Sequence, residues 1–256
     1  MQVIMLPGRV TPAQSAYAGL VAALTADADA RFKDLEVYSG DGPPPDFSLD
    51  TEVRGIDRFA DECGFGRFHL LGYSAGGACS LAFAAANSDR LLSLALIEPA
   101  WAGNDGLQPK EVALRQAFRA LRDASPAEMM SKFDSLQIRD GVAPPPRPEG
   151  LSAPWIASRL AALGALQNAY DEANLEPERL RSFRQPVYFA LGGLSNPDYY
   201  ERMADRLSRL FPDFTLEIYS GRHHLDPPHR IEPERVAASL RKLWRRAETQ
   251  AATVRE

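Results

Sequence analysis

Apolar residues along this chain fall into two alternating patterns. The first is a short, mostly apolar run, as at residues 3–6 (Val3, Ile4, Met5, Leu6), 67–71, 91–97, 186–191 and 214–219. Runs of that length between turn residues predict strands, and an unbroken apolar run predicts one covered on both faces. Residues 34–38 read as a further strand, between the first two of these. The second pattern is a stripe at helical spacing. Tyr17, Leu20, Val21 and Leu24 make one stripe, and Val53, Ile56, Phe59, Ala60 and Cys63 make another that Gly64 stops. Residues 75–86 are small and apolar, with Leu81 and Phe83, as suits a helix lying against a sheet. Tyr200, Met203, Leu207 and Leu210 predict a later helix, and Val236, Leu240, Leu243 and Trp244 the last one. Local signals frame them. Thr11-Pro12-Ala13-Gln14 reads as a capping box opening the first helix, Asn196-Pro197 caps the later one, and the polar tail from Ala247 reads as frayed.

Strands joined by crossover helices imply a parallel sheet with helices on both faces. Between about Trp101 and Phe183 the strand pattern stops. Leu114, Phe118 and Leu121 form one helical stripe there. Ser125-Pro126-Ala127-Glu128 opens another that carries Met129, Met130, Phe133 and Leu136. A proline-rich loop at 141–150 leads to a third, with Trp155, Ile156, Leu160, Leu163, Leu166 and Tyr170. The expected fold class is therefore α/β, a mostly parallel sheet of about six strands plus a helical insertion. The core spans residues 1–102 and 184–256, and the insertion spans 103–183. Ligand sites in such sheets lie at the carboxyl ends of the strands, where an insertion leaving a strand end can act as a lid.

Composition narrows the classes. The chain has 256 residues, 45% hydrophobic and 25% charged, with a net charge of −5. That is ordinary globular composition. No basic, aromatic-interleaved patch suggests nucleic acid, and no apolar run has the length of a membrane span. The N-terminus lacks the pattern of a signal peptide. Cys63 and Cys79 lie on apolar helical faces and read as buried thiols, which fits a reducing cytoplasm.

The sharpest chemical signal is Gly72-x-Ser74-x-Gly76, set between the strand at 67–71 and the helix at 75–86. A serine on such a turn sits in strained backbone with its hydroxyl pushed outward, and small flanking residues let the two arms approach. The following helix N-terminus adds free N–H groups and partial positive charge. A second signal lies between the last strand and the last helix, at Ser220-Gly221-Arg222-His223-His224-Leu225-Asp226. Together these resemble the α/β-hydrolase family over nearly the whole chain apart from the insertion. The chain departs from the family by starting on its third strand, which implies an exposed sheet edge near the start.

The resemblance implies roles. Ser74 would be the nucleophile and His224, in the His-apolar pair, its base, with His223 the alternative. Serine needs such a base, and imidazole titrates near neutral pH. His229, in Pro227-Pro228-His229, reads as solvated or capping, and His69 as a hydrogen-bonded core residue. The acid has two candidates. Glu98 ends an apolar strand, where a carboxylate needs a partner, and it is favoured. Asp198 lies near the family's other slot but also suits a helix start. Backbone N–H groups of Ala75 and of Arg9, with Val10 the alternative, would form the oxyanion hole. The Arg9 side chain reads as solvated, with a pocket-facing, anion-binding orientation as the alternative. Tyr73, Trp101, Met130 and Trp155 are candidate substrate contacts, beside Met129 and Phe133. The expectation is a serine hydrolase that needs no metal or organic cofactor. It would cleave an ester or related acyl bond of a small, partly apolar molecule, as a monomer or homodimer away from membranes. The same triad in the family also serves carbon–carbon hydrolysis, lactone opening, cyanohydrin cleavage and perhydrolysis. A non-catalytic small-molecule-binding protein and an interaction protein whose lid helices bind a partner are the remaining alternatives.

Overall fold

Six parallel strands make one sheet in the order β2-β1-β3-β4-β5-β6. They are β1 (Gln2–Leu6), β2 (Asp29–Phe32), β3 (Phe68–Tyr73), β4 (Leu91–Ile97), β5 (Val187–Gly192) and β6 (Phe214–Tyr219). The chain is seen in a computed structural model, which describes residues 1–9, 11–24, 27–121, 126–146 and 153–253. At 126, 127, 130 and 153–161 it describes the backbone alone. No helix among the described residues is long and apolar enough to cross a membrane.

Successive side chains of a strand point to opposite faces, so each inner strand feeds two cores. Val3, Met5, Leu71, Ala95, Ile97, Tyr188 and Ala190 face one side. There α1 (Ala13–Leu24) and α10 (Pro233–Thr253) cover them with Tyr17, Leu20, Leu24, Val236, Leu240, Leu243 and Trp244. Ile4, Leu6, Leu70, Leu94, Leu96, Val187 and Phe189 face the other side, under α2 (Leu49–Glu62), α3 (Ala75–Ala86) and α8 (Arg202–Leu210). Each such side chain removed from water stabilises the fold by about 1.5–3 kcal/mol before entropy is counted. Between β4 and β5 run α4 (Pro109–Ala120), α5 (Pro126–Gln137), α6 (Ala153–Glu172) and α7 (Pro177–Ser182). Phe118, Leu163, Leu166 and Tyr170 of these helices join the second core.

Four expectations are corrected. Residues 34–38 are not a strand. The second strand comes earlier, pairing Gln2 with Asp29 and Met5 with Phe32, and Glu36–Tyr38 forms a single 3-10 turn. The cause is Glu52 of α2, a fully buried carboxylate. Its oxygens accept the N–H groups of Glu36 at 2.9 Å and Val37 at 3.0 Å, which a ladder would have needed. The first helix begins at Ala13, and its N–H is taken at 2.8 Å by Asp34, not by Thr11. The final helix does not fray from Ala247, which is buried, but runs to Thr253. Cys79 is buried, whereas Cys63 is partly exposed at the end of α2. The Asn196 cap is observed, its side chain accepting the Asp198 N–H at 3.1 Å. The Ser125 cap, the end of the loop at 141–150 and the side chains of Met130, Trp155, Ile156 and Leu160 lie outside the described residues.

The Glu52 contacts reach the site through Tyr38, whose hydroxyl donates to the Arg9 carbonyl at 3.1 Å. Glu52→Ala strands two N–H groups, one of them buried, and is expected to cost about 2–4 kcal/mol in urea unfolding. Glu52→Gln keeps an acceptor and is expected to cost less than half as much.

Candidate active site

The turn after β3 holds Ser74 at φ 53° and ψ −116°, a left-handed backbone that costs a non-glycine residue about 1–3 kcal/mol. Neighbours hold it there. The Ser74 N–H donates to Ile97 at 3.1 Å, and its carbonyl accepts from Ala78 at 3.0 Å and Ala100 at 2.8 Å. The flanking glycines are needed for space. A Cβ on Gly72 would lie 2.4 Å from the Gly76 carbonyl oxygen, and one on Gly76 would lie 2.5 Å from that of Leu6. The Gly76 N–H instead donates to Pro7 at 3.0 Å, tying the elbow to the loop after β1. Ala75 opens α3, and N–H groups of a first helical turn have no acceptor within their own helix.

Ser74 Oγ lies 3.0 Å from His224 Nε2, across 150 residues of sequence. The other ring nitrogen, Nδ1, lies 3.3 Å from Glu98 Oε2. All three side chains are buried, Glu98 completely. Glu98 follows β4 at φ 44°, and its second oxygen accepts the Gly192 N–H at 2.8 Å. The carboxylate is therefore satisfied from the end of β5 and from the loop after β6 at once. His224 is also fixed on its faces and backbone. Tyr200 stacks on the ring with centroids 4.7 Å apart and 17° between planes, and the Tyr73 hydroxyl donates to the His224 carbonyl.

The alternatives lie elsewhere. Asp198 is paired with Lys110 at 2.8 Å and with Arg202 at 3.6 Å, and the lysine bond draws its pKa below the carboxylate norm. His223 has an Nδ1 with no partner among the described residues, its backbone carbonyl accepting from Asp226, and its pKa is lowered by burial. His229 is not solvated. It is fully buried between Tyr17 and Tyr73, at 5.0 and 4.7 Å between centroids. The two prolines before it do not hold it outside, because α9 (Pro228–Ile231) packs against α1. His69 is a core residue bonded to Ser93 at 2.8 Å.

Ser74 opens into a cavity of about 30 Å³, room for one or two waters. Arg9, Phe118, Phe133, Leu166 and Tyr200 line it, so α4, α5 and α6 of the insertion close over the serine. Arg9 is partly buried and lines this cavity. Its guanidinium carbon sits 3.9 Å from the Phe133 ring centroid. Trp101 is stacked on Tyr170 and lines a separate groove of about 610 Å³ that contains none of Ser74, His224 and Glu98. Tyr73 touches His224 rather than the cavity. Met129 is buried, and Val10 and the side chains of Met130 and Trp155 are outside the described residues. Sequence reasoning missed Tyr200 and Gln137 as site residues. Their signal is a hydroxyl and an amide on otherwise apolar faces, and the two bond to each other.

Comparison with known proteins bears on the family and the fold. A family model described as the alpha/beta hydrolase family matches residues 3–239. No curated protein matches the chain. Among solved structures, MenH from S. aureus is similar at 16% identity and a TM-score of 0.69, over 97% of this chain and 94% of that one. A thermophilic esterase from Thermogutta terrifontis is similar at 20% identity and 0.66, over 96% and 90%. Carboxylesterase CesB from Bacillus subtilis is similar at 17% identity and 0.64, over 94% and 82%.

Two of the buried histidines, His69 and His229, set a pH dependence. Burial lowers the pKa of both His69 and His229 to about 3, whereas an imidazole in the unfolded chain titrates near 6.5. Below that value the unfolded chain binds protons that the native one refuses. Stability is therefore full above 6.5 and falls as pH drops, by up to about 1.4 kcal/mol per pH unit for each ring. In urea unfolding at pH 6.5 and 5, His229→Phe is expected to lose about 1.6 kcal/mol less than the parent chain between those values.

Proposed function

The chain belongs to the alpha/beta hydrolase family, and from that premise we propose that it is a serine hydrolase acting on an ester of a small, partly apolar molecule. The observation that carries the reading is the 3.0 Å approach of Ser74 Oγ to His224 Nε2, with Glu98 behind the ring. Ser74 attacks the acyl carbon while His224 takes its proton at Nε2. Glu98 accepts from Nδ1–H, which selects the tautomer with a free Nε2 and stabilises the imidazolium as it forms. The Gly192 N–H keeps the carboxylate aimed. The Ala75 and Arg9 N–H groups hold the tetrahedral oxyanion. His224 returns its proton to the leaving alcohol, an acyl-enzyme remains, and a water deprotonated by His224 releases the acid.

The insertion acts as a lid in this reading. A cavity of about 30 Å³ is well below the roughly 300–1,000 Å³ of small-molecule sites, so substrate enters when α5 and α6 move outward. Phe118, Phe133, Leu163 and Leu166 give the cavity an apolar side, which suits an apolar acyl or alkyl group.

A fluorophosphonate probe is expected to label the folded protein at Ser74 and to leave Ser74→Ala unlabelled. Absence of labelling on Ser74 in the folded protein would overturn the assignment. Against 4-nitrophenyl butyrate, Glu98→Gln is expected to lower kcat by about 10²–10⁴, the effect of disturbing the tautomer in such an array. Asp198→Asn is expected to change kcat by less than about twofold, since an exposed ion pair is weakly coupled to anything else.

A further inference from the structure

The residue that the proposed chemistry leaves over is the Arg9 side chain. Its backbone belongs to the loop after β1, and that loop is pressed onto the elbow. A Cβ on Gly8 would lie 2.7 Å from the Tyr73 ring and 3.3 Å from Ser74 Cβ. Tyr38 holds the Arg9 carbonyl from behind. The guanidinium is thereby carried into the Ser74 cavity on a fixed stem. It is the only charged group among the described residues lining that cavity.

Two other arginines with little exposure find carboxylates. Arg115 meets Asp171, and Arg206 meets Glu111. Arg9 has no such partner among the described residues; what faces it is the Phe133 ring. The remaining groups that shape its field are tyrosines, Tyr38, Tyr73, Tyr170 and Tyr200, and burial lowers its pKa from the usual arginine value. A guanidinium stays charged even so. The guanidinium's five donors match a planar anion, and the ring it lies on offers them no acceptor. Glu98 does not supply that anion, since its oxygens are engaged by His224 and Gly192.

Resting on the serine-hydrolase reading above, we propose that the substrate bears a carboxylate which pairs with the Arg9 guanidinium inside the Ser74 cavity. The substrate class is then a half-ester or carboxy-ester with a short apolar body between the scissile bond and the charge. Binding replaces the Phe133 ring by two charge-assisted hydrogen bonds, so substrate entry and displacement of α5 are one event.

Two matched ester pairs test this, with the charge on either side of the bond. They are 4-nitrophenyl hydrogen glutarate against 4-nitrophenyl valerate, and 4-carboxyphenyl butyrate against phenyl butyrate. In at least one pair the protein is expected to favour the carboxylate in kcat/KM by about tenfold or more, the effect of a hydrogen-bonded charge. Arg9→Met is expected to bring that ratio near one, with Arg9→Lys between. Arg9→Gln serves the same test if the methionine variant does not fold, as judged by fluorophosphonate labelling of Ser74. No preference in either pair, or a preference unchanged in Arg9→Met, overturns the proposal. Titration of monomethyl glutarate into Ser74→Ala reads the same pairing without turnover. The second substitution Arg9→Met is expected to weaken binding by about tenfold, and equal binding with and without Arg9 overturns the proposal. Failure of the hydrolase reading looks different. No ester would turn over and Ser74 would not label, whatever the charge of the ligand.

Discussion

The left-handed backbone at Ser74 is the constraint on which the site depends. A serine does not hold that conformation unaided, and here four elements impose it. β3 delivers the residue and α3 leads away from it. β4 accepts its N–H, and the residue after Pro99 donates to its carbonyl. The same knot brings the loop after β1 against the elbow through Gly8 and through the bond from Gly76 to Pro7. Strain at one residue thus fixes the relative positions of three strand ends, which is how a sheet can place reacting atoms to a fraction of an ångström.

Glu98 closes the arrangement from the other side. A carboxylate with no exposed surface is a liability unless its oxygens are met, and both are. Because one partner belongs to β5 and the other to the loop after β6, the charge registers those strands against β4. Tyr73 and Tyr200 then immobilise His224 by its carbonyl and by its ring face. The imidazole has little freedom left apart from exchange of a proton.

The sheet and the elbow were legible in the sequence because both rest on local signals. Strand runs such as Leu94–Ala95–Leu96–Ile97 carry their burial in their composition, and Gly72-x-Ser74-x-Gly76 carries its turn in the absence of side chains. Positions decided by long-range partners were not legible. Residues 34–38 have strand-like composition, yet Glu52, at 15 and 16 positions' distance, takes the N–H groups first. Thr11 has the chemistry of a cap, yet Asp34 arrives from 21 residues away. His229 follows two prolines, as surface residues often do, but its burial depends on Tyr17 and Tyr73, which no local window contains. Glu98 was accessible for the opposite reason, since a charge ending an apolar strand advertises an unseen partner.

The border strand β2 has a consequence for behaviour in concentrated solution. It is four residues long, and its Asp29 and Arg31 are exposed and paired with each other at 2.9 Å. A short charged border gives an incoming chain few groups to join and makes it strip water from two ions in doing so. That border is thereby a poor template for fibrillar growth, and the burden of protection falls on the opposite border, β6, where Leu216 and Ile218 are exposed.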